Sequence, residues 1–358
     1  MKLLKGDASG PIITGIVLGV AAPLLVLWGN PANMGLCVAC FLRDISGALG
    51  LHRAGVVQYL RPEIFGLILG AWVAALASGE WRPRGSSAAA NKFFLGFFGM
   101  IGALVFLGCP WRAFLRLGGG DANALLGIAG LIAGVGLGSL FLRRGFSLHD
   151  DEATSTTILT GKLLPLLALG GLALLYFRPL FAEGGPLFFS EKGPGSQHAP
   201  VLWAFGAAFI LGIVAQRGRL CSVGAFRNIF LARNFSVFYG VVALVVVTSV
   251  MNLALGQYHW GFEGQPIAHT NHLWNFLGMA LAGLCFTLAE GCPGRQLIKA
   301  SEGDGDAVVF IMGMVVGAAF AHNFSLASSG AGITAFAPWA CLIGFVYCLL
   351  LGLRTKKA

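Results

Sequence analysis

Gly108-Cys109-Pro110-Trp111-Arg112 returns as Gly291-Cys292-Pro293-Gly294-Arg295, an offset of 183 residues, and the agreement runs on from Gly120-Asp121 to Gly303-Asp304. A second pair stands upstream of each copy. Leu36-Cys37 recurs as Leu220-Cys221 at an offset of 184, with Arg43-Asp44 falling on Arg227-Asn228. Gly130 and Gly134 fall on Gly313 and Gly317, the small-x-x-x-small spacing at which membrane helices approach closely. The chain reads as two copies of one plan.

The sequence between the motifs is apolar. Of 358 residues 56% are hydrophobic and 11% charged, and the mean hydropathy is +0.78. A soluble domain carries roughly 25% charged residues. A bilayer core about 30 Å thick needs roughly 20 apolar residues per helix. Ten such stretches lie near 11–28, 62–79, 92–108, 122–143, 162–181, 199–215, 235–256, 272–290, 306–323 and 331–353. The expectation is an all-α polytopic membrane protein, with an N-terminal repeat over 1–181, an exposed linker over 182–198 and a C-terminal repeat over 199–358. A polar stretch, His149 to Thr160, reads as a loop.

Five spans per half is an odd number, so the second half enters the membrane in the opposite sense to the first, an inverted-topology repeat. With both termini cytoplasmic, 17 of the 24 Lys and Arg fall on the cytoplasmic side, in line with the positive-inside bias. Lys2 and Lys5 before an apolar run also begin signal peptides, but no small-residue cleavage site follows, and the run reads as the first span. The net charge of +9 is scattered singly between spans, without the basic patch that nucleic acid requires. No nucleotide-binding glycine loop occurs, so any ATP would be used by a partner.

Four repeated segments, at about 30–44, 108–121, 217–228 and 291–304, combine small residues, a cysteine and an arginine, and are too short and polar to span. Non-helical backbone at membrane depth is tolerated where it is buried in protein or lines a watery cavity. These segments therefore read as re-entrant half-helices whose tips meet in an hourglass. Cys37, Cys109, Cys221 and Cys292 then lie at the constriction, near helix N-termini that favour anions. Thiols are weak donors and polarizable contacts, suited to a small sulphur- or selenium-containing solute. The plainer reading is that cysteine is a small buried hydrophobe, and it is taken for Cys285, Cys341 and Cys348 in unrepeated apolar runs.

Cys37-x-x-Cys40 admits a redox or solute-handing role. A metal site is disfavoured because the repeat places Gly224 opposite Cys40 and no second Cys-x-x-Cys exists. Arg43, Arg112, Arg227 and Arg295 either steer anions at the two mouths or pair with Asp44, Asp121 and Asp304. Glu290 stands where the first copy has Leu107 and is a candidate for proton coupling or for a salt bridge. His259, His269 and His272 read as solvated in an outer loop.

With these residues in hand, the chain resembles the YeeE/YedE sulphur-transport family of bacterial membrane proteins. The likeness rests on Gly-Leu-Cys37-Val-Ala-Cys40-Phe-Leu-Arg43-Asp44, Arg61-Pro-Glu63-Ile, Phe-Leu-Gly-Cys109-Pro-Trp-Arg112, Arg-Leu-Cys221 and Glu290-Gly-Cys292-Pro-Gly-Arg295-Gln. It implies an inner-membrane transporter of hourglass plan that takes up thiosulfate, passed between cysteines by S–H···S contacts at Cys37, Cys109, Cys292 and Cys221. The Cys-Val-Ala-Cys-Phe and Gly-Cys-Pro-Trp-Arg runs look more like the YedE branch, associated with selenium use. A small cytoplasmic sulphur-carrier protein is implied as a partner, and no cofactor. Two rivals stay open: a membrane-embedded thiol or persulfide transfer enzyme using Cys37 and Cys40, and an anion channel that relies on the arginines alone.

Overall fold

The computed structural model describes residues 8–86, 88–148, 155–177 and 187–354. These form fourteen α-helices and no strands: α1 (Ser9–Leu27), α2 (Val38–Ala48), α3 (Pro62–Ala77), α4 (Ala89–Phe106), α5 (Pro110–Gly118), α6 (Asn123–Arg143), α7 (Ser155–Tyr176), α8 (Val201–Gly218), α9 (Ser222–Ala232), α10 (Ser236–Ala254), α11 (His272–Leu288), α12 (Pro293–Ser301), α13 (Gly305–Asn323) and α14 (Ala337–Leu353). Eight helical stretches among the described residues are long and apolar enough to cross a membrane, and the shorter apolar α3 and α14 stand where the other two spans were expected. The chain is thus an all-helical polytopic membrane protein. Large apolar side chains such as Leu202, Trp203, Ile343 and Leu350 are exposed on α8 and α14, a surface suited to lipid.

Eight of the long helices take their main partner from the other half, while α7 packs chiefly on α3 and α14 on α11 within their own halves. α6 packs on α11 and α4 on α13; α3 packs on α8 and α1 on α10; α4 also meets α11, and α1 meets α8. Exchanging the halves maps each of these cross-half pairs onto another pair or onto itself. The repeated glycines make the approach close. A Cβ on Gly130 or Gly134 would stand 2.0 Å from the carbonyl oxygen of Phe276 or Ala280 on α11, and one on Gly313 would stand 2.1 Å from that of Phe93 on α4.

The same exchange relates two loop contacts. His259 N–H donates to Gly119 O (2.9 Å) and Gly261 N–H to Gly120 O (3.1 Å), tying the loop after α10 to the turn after α5. Arg82 N–H donates to Glu302 O (2.9 Å) and Arg84 N–H to Gly303 O (3.1 Å), tying the loop after α3 to the turn after α12.

Two boundaries differ from expectation. The last apolar stretch becomes helical only at Ala337, because Ser329 and Gly332 close a small hydrogen-bonded turn ahead of it. Residues 187–198 of the stretch read as an exposed linker fold back onto the segment between α2 and α3. Arg61 donates to Gln197 O (3.0 Å) and Pro194 O (2.8 Å), and His198 stacks on Tyr59 with ring centroids 4.3 Å apart. The stretch read as a polar loop is helical from Ser155, where α7 begins; its residues 149–154, the rest of the linker and both termini with Lys2, Lys5, Lys356 and Lys357 lie outside the described residues.

Candidate functional site

Every repeated cysteine is the N-cap of a short helix: Cys37 of α2, Cys109 of α5, Cys221 of α9 and Cys292 of α12. All four have extended backbone, as an N-cap requires. Cys37 and Cys221 accept a hydrogen bond on sulfur from the N–H three residues on, that of Cys40 (3.3 Å) and of Gly224 (3.2 Å). Cys109 and Cys292 precede a proline at the first helical position, where the missing N–H costs nothing and the fixed φ favours the helix. The breaks just before them are equivalent too. Leu107 and Glu290, 183 residues apart, adopt left-handed φ values of 66° and 64° that stop α4 and α11.

The thiols gather in two groups. Cys37 Sγ lies 2.9 Å from Cys40 Sγ and 3.7 Å from Cys109 Sγ, joining α2 to α5. Cys292 N–H donates to Cys221 Sγ (3.5 Å), joining α12 to α9. Contacts between the groups are aromatic and apolar: Trp111 of α5 rests on Gly294 of α12, and Phe114 of α5 stacks at 6.3 Å on Phe226 of α9. The four cysteine-bearing helices therefore converge, with three thiols on one side and two on the other. Cys285 and Cys348, 3.3 Å apart, and Cys341 are buried between α11 and α14, away from this centre. All eight cysteines are free thiols.

The four arginines separate in kind. Arg43 is buried and bound through Nε and Nη2 to Asp44 Oδ1 (2.9 and 2.7 Å), while Arg61 Nε takes Asp44 Oδ2 at 2.7 Å. Arg295 holds Glu302 through both Nη atoms at 3.1 and 3.3 Å. Arg112 is fully buried and has no carboxylate partner among the described residues. Its guanidinium is held by the carbonyl oxygens of Asn33 (2.8 Å), Ile267 (3.0 Å) and Leu107, and Nη1 lies 3.4 Å from Cys40 Sγ. Arg227 is half-buried, with no hydrogen-bond or ion-pair partner among the described residues, and its charge acts on Cys221.

Asp121, one of the carboxylates considered for Arg112, instead pairs with Arg116 at 2.6 Å. Asp304 takes Arg84 (3.3 Å) and Lys299 (3.3 Å), not Arg295. Glu290 is half-buried and interacts with the charge of the buried Lys92. His269 corrects the reading of a solvated histidine cluster: it is 2% exposed, its Nε2 is 2.8 Å from Val105 O, and it anchors the loop before α11.

Two cavities occupy places that the repeat relates. One, of about 170 Å³, is lined by Asn33, Gly35, Gly119, Gln257, His259 and Gln265 among others and bears no Lys, Arg, Asp or Glu. The other, of about 380 Å³, is lined by Glu80, Arg82, Arg84, Arg219, Arg295 and Glu302. Gly35 and Gly119 of the first are the repeat equivalents of Arg219 and Glu302 of the second. The Gln216 amide, with Arg219 and Arg217 beside it, holds the Glu80 carboxyl below its ordinary value, and the second cavity is lined by four arginines against two glutamates.

Fold and site define a polytopic membrane protein with a buried thiol centre and two repeat-related cavities, one without charged lining residues and one lined by four arginines and two glutamates. Residues 217–339 match the family described as Sulphur transport. Over 94 residues the chain is 34% identical to the thiosulfate transporter TsuA of Escherichia coli (strain K12), 26% of this chain and 26% of that protein. Over 95 residues it is 30% identical to the thiosulfate transporter TsuA of Spirochaeta thermophila, 26% of this chain and 28% of that protein. The chain thus spans about a quarter of the length of the curated relatives it matches.

Proposed function

We propose that the protein is an inner-membrane transporter that takes up a small sulphur- or selenium-containing anion and passes it between cysteines at the centre of an inverted, hourglass-shaped repeat. The observation that carries this is the convergence of Cys37, Cys40 and Cys109 with Cys221 and Cys292 through Trp111 and Gly294. Arg112 supplies an unneutralised positive charge beside Cys40, and Arg227 one beside Cys221. The printed names of the two relatives favour thiosulfate as solute. Selenium oxyanions share its softness and charge, and the thiol chemistry accepts either.

Both termini are cytoplasmic in this reading, because Arg82, Arg84, Arg217, Arg219, Arg295 and Lys299 gather around one cavity, in line with the positive-inside bias. The neutral cavity is then the entrance and the basic cavity the exit, where a small cytoplasmic sulphur-carrier protein receives the cargo. Glu290 beside Lys92 is the carboxylate available for proton coupling. Lipid surrounds the apolar faces of α8 and α14.

Uptake into reconstituted vesicles tests the proposal, with radiolabelled thiosulfate, sulfite, selenite and selenide and with sulfate as control. Entry of at least one soft anion in preference to sulfate is expected; entry of none overturns it.

The 2.9 Å separation of Cys37 and Cys40 supports one other reading, a thiol or persulfide transferase. Stoichiometric transfer of sulphur or selenium onto these cysteines would favour the enzyme, and protection from thiol reagents without transfer favours transport. A channel that relies on the arginines alone is disfavoured because Arg43 and Arg295 are neutralised by Asp44 and Glu302.

A further inference from the structure

Trp111 heads the largest fully buried side chains of the protein, at 1% exposure. It follows Cys109-Pro110 in the first turn of α5, and Gly294 holds the equivalent place after Cys292-Pro293 in α12. The indole lies over that glycine: a Cβ on Gly294 would stand 2.4 Å from Trp111 Cζ2 and 2.6 Å from Cε2. The two copies of the repeat thus carry the bulkiest side chain at one position and none at its equivalent. A second large side chain would not fit, and two glycines would leave a void between the thiol groups.

A second observation concerns the ring nitrogen. Trp111 Nε1 is buried with no hydrogen-bond partner among the described residues. A buried indole N–H ordinarily finds an acceptor, and leaving one unmet costs the desolvation of that group with no return. Unlike a thiol or hydroxyl, the indole N–H is a donor only, so the partner it lacks is an acceptor. An oxyanion moving between Cys109 and Cys292 would supply one.

We propose that Trp111 is the barrier between the two thiol groups and that its Nε1–H is the donor offered to the anion as it crosses. Ring bulk excludes hydrated ions, and the neutral donor selects for a partly dehydrated anion over a cation. The donor role rests on the transport reading; the barrier role does not, and the two are measured separately.

The barrier is read by labelling with 2-aminoethyl methanethiosulfonate in spheroplasts and in inside-out vesicles, followed by peptide mass spectrometry of each cysteine. In the wild type neither thiol group is expected to react from the far side. Trp111→Ala is expected to raise far-side labelling of Cys292 and Cys109 about tenfold or more, and Trp111→Leu serves the same purpose if the alanine variant does not fold. Equal far-side labelling in wild type and variant overturns the barrier. The donor is read by thiosulfate uptake in Trp111→Phe, which keeps the bulk and loses the N–H. A fall of about tenfold with unchanged far-side labelling is expected, and wild-type uptake overturns the donor role. If wild-type vesicles take up no anion while the labelling difference persists, the transport reading falls and the barrier stands.

Discussion

The Arg112 guanidinium lies 3.4 Å from the Cys40 sulfur and is held otherwise only by backbone carbonyl oxygens. A buried cation without a counter-ion is expensive, and its retention beside a thiol is explained if an anion completes the site in transit. Arg112→Gln keeps side-chain length and some of the hydrogen bonds but loses the charge. Uptake is expected to fall by about 10–100-fold, the range of a hydrogen bond to a charged group. Initial rates in vesicles at several solute concentrations check this; an unchanged rate removes Arg112 from the route.

Asp44 bridges Arg43 and Arg61 with all three side chains at 3% exposure or less. Removing the central carboxylate leaves two buried cations facing each other. Asp44→Asn is expected to destabilise the protein by about 3–5 kcal/mol, the cost of breaking a buried pair by removing one partner. Thermal unfolding in detergent, followed by loss of the monodisperse species, reads this directly, and a melting temperature equal to the wild type refutes it.

The glycine contacts between halves set the helix spacing. Gly130→Val would drive new atoms into the Phe276 carbonyl on α11, and Gly313→Val into the Phe93 carbonyl on α4. Because the obstructing atoms are backbone, relaxation requires moving a helix, and each change is expected to cost well over the 1–3 kcal/mol typical of overpacking. Both variants should express poorly. Gly206→Val, where a Cβ meets nothing within 4 Å, should behave as wild type.

Thiols outside the centre provide the internal control. Cys341 lies in α14 with 2% exposure and no sulfur contact to the repeated cysteines. Cys341→Ala is expected to leave uptake within about twofold of wild type, at a stability cost of about 1 kcal/mol or less for the small atom lost. A large loss of uptake would mean that transport depends on thiols other than the four repeated ones and their neighbour Cys40.

Much of this arrangement was legible in the sequence, because a membrane span is a composition and a repeat is a register. The helix breaks at Cys109 and Cys292 were readable from Gly, Cys and Pro in a row, and the close approach at Gly130 and Gly313 from their spacing. What stayed hidden depends on contacts between distant segments. Asp121 lies five residues past Arg116 where the chain turns back over the end of α5, so it meets Arg116 and leaves Arg112 to backbone carbonyls. Trp111 looked like an ordinary motif residue until Gly294 appeared beneath it. His269 seemed a loop histidine because nothing local revealed the Val105 carbonyl that it meets. The pairing of the neutral and basic cavities required both halves to be folded, since Gly35 and Arg219 share a register and nothing else.

One measurement tests the central claim most directly: radiolabelled thiosulfate flux through vesicles carrying Cys109→Ala or Cys292→Ala, each checked for folding by its elution profile. If solute is handed from one thiol group to the other, each single change stops flux in a folded protein. Flux near the wild-type rate in either variant would mean that the cysteines fill space and that the anion travels by another route.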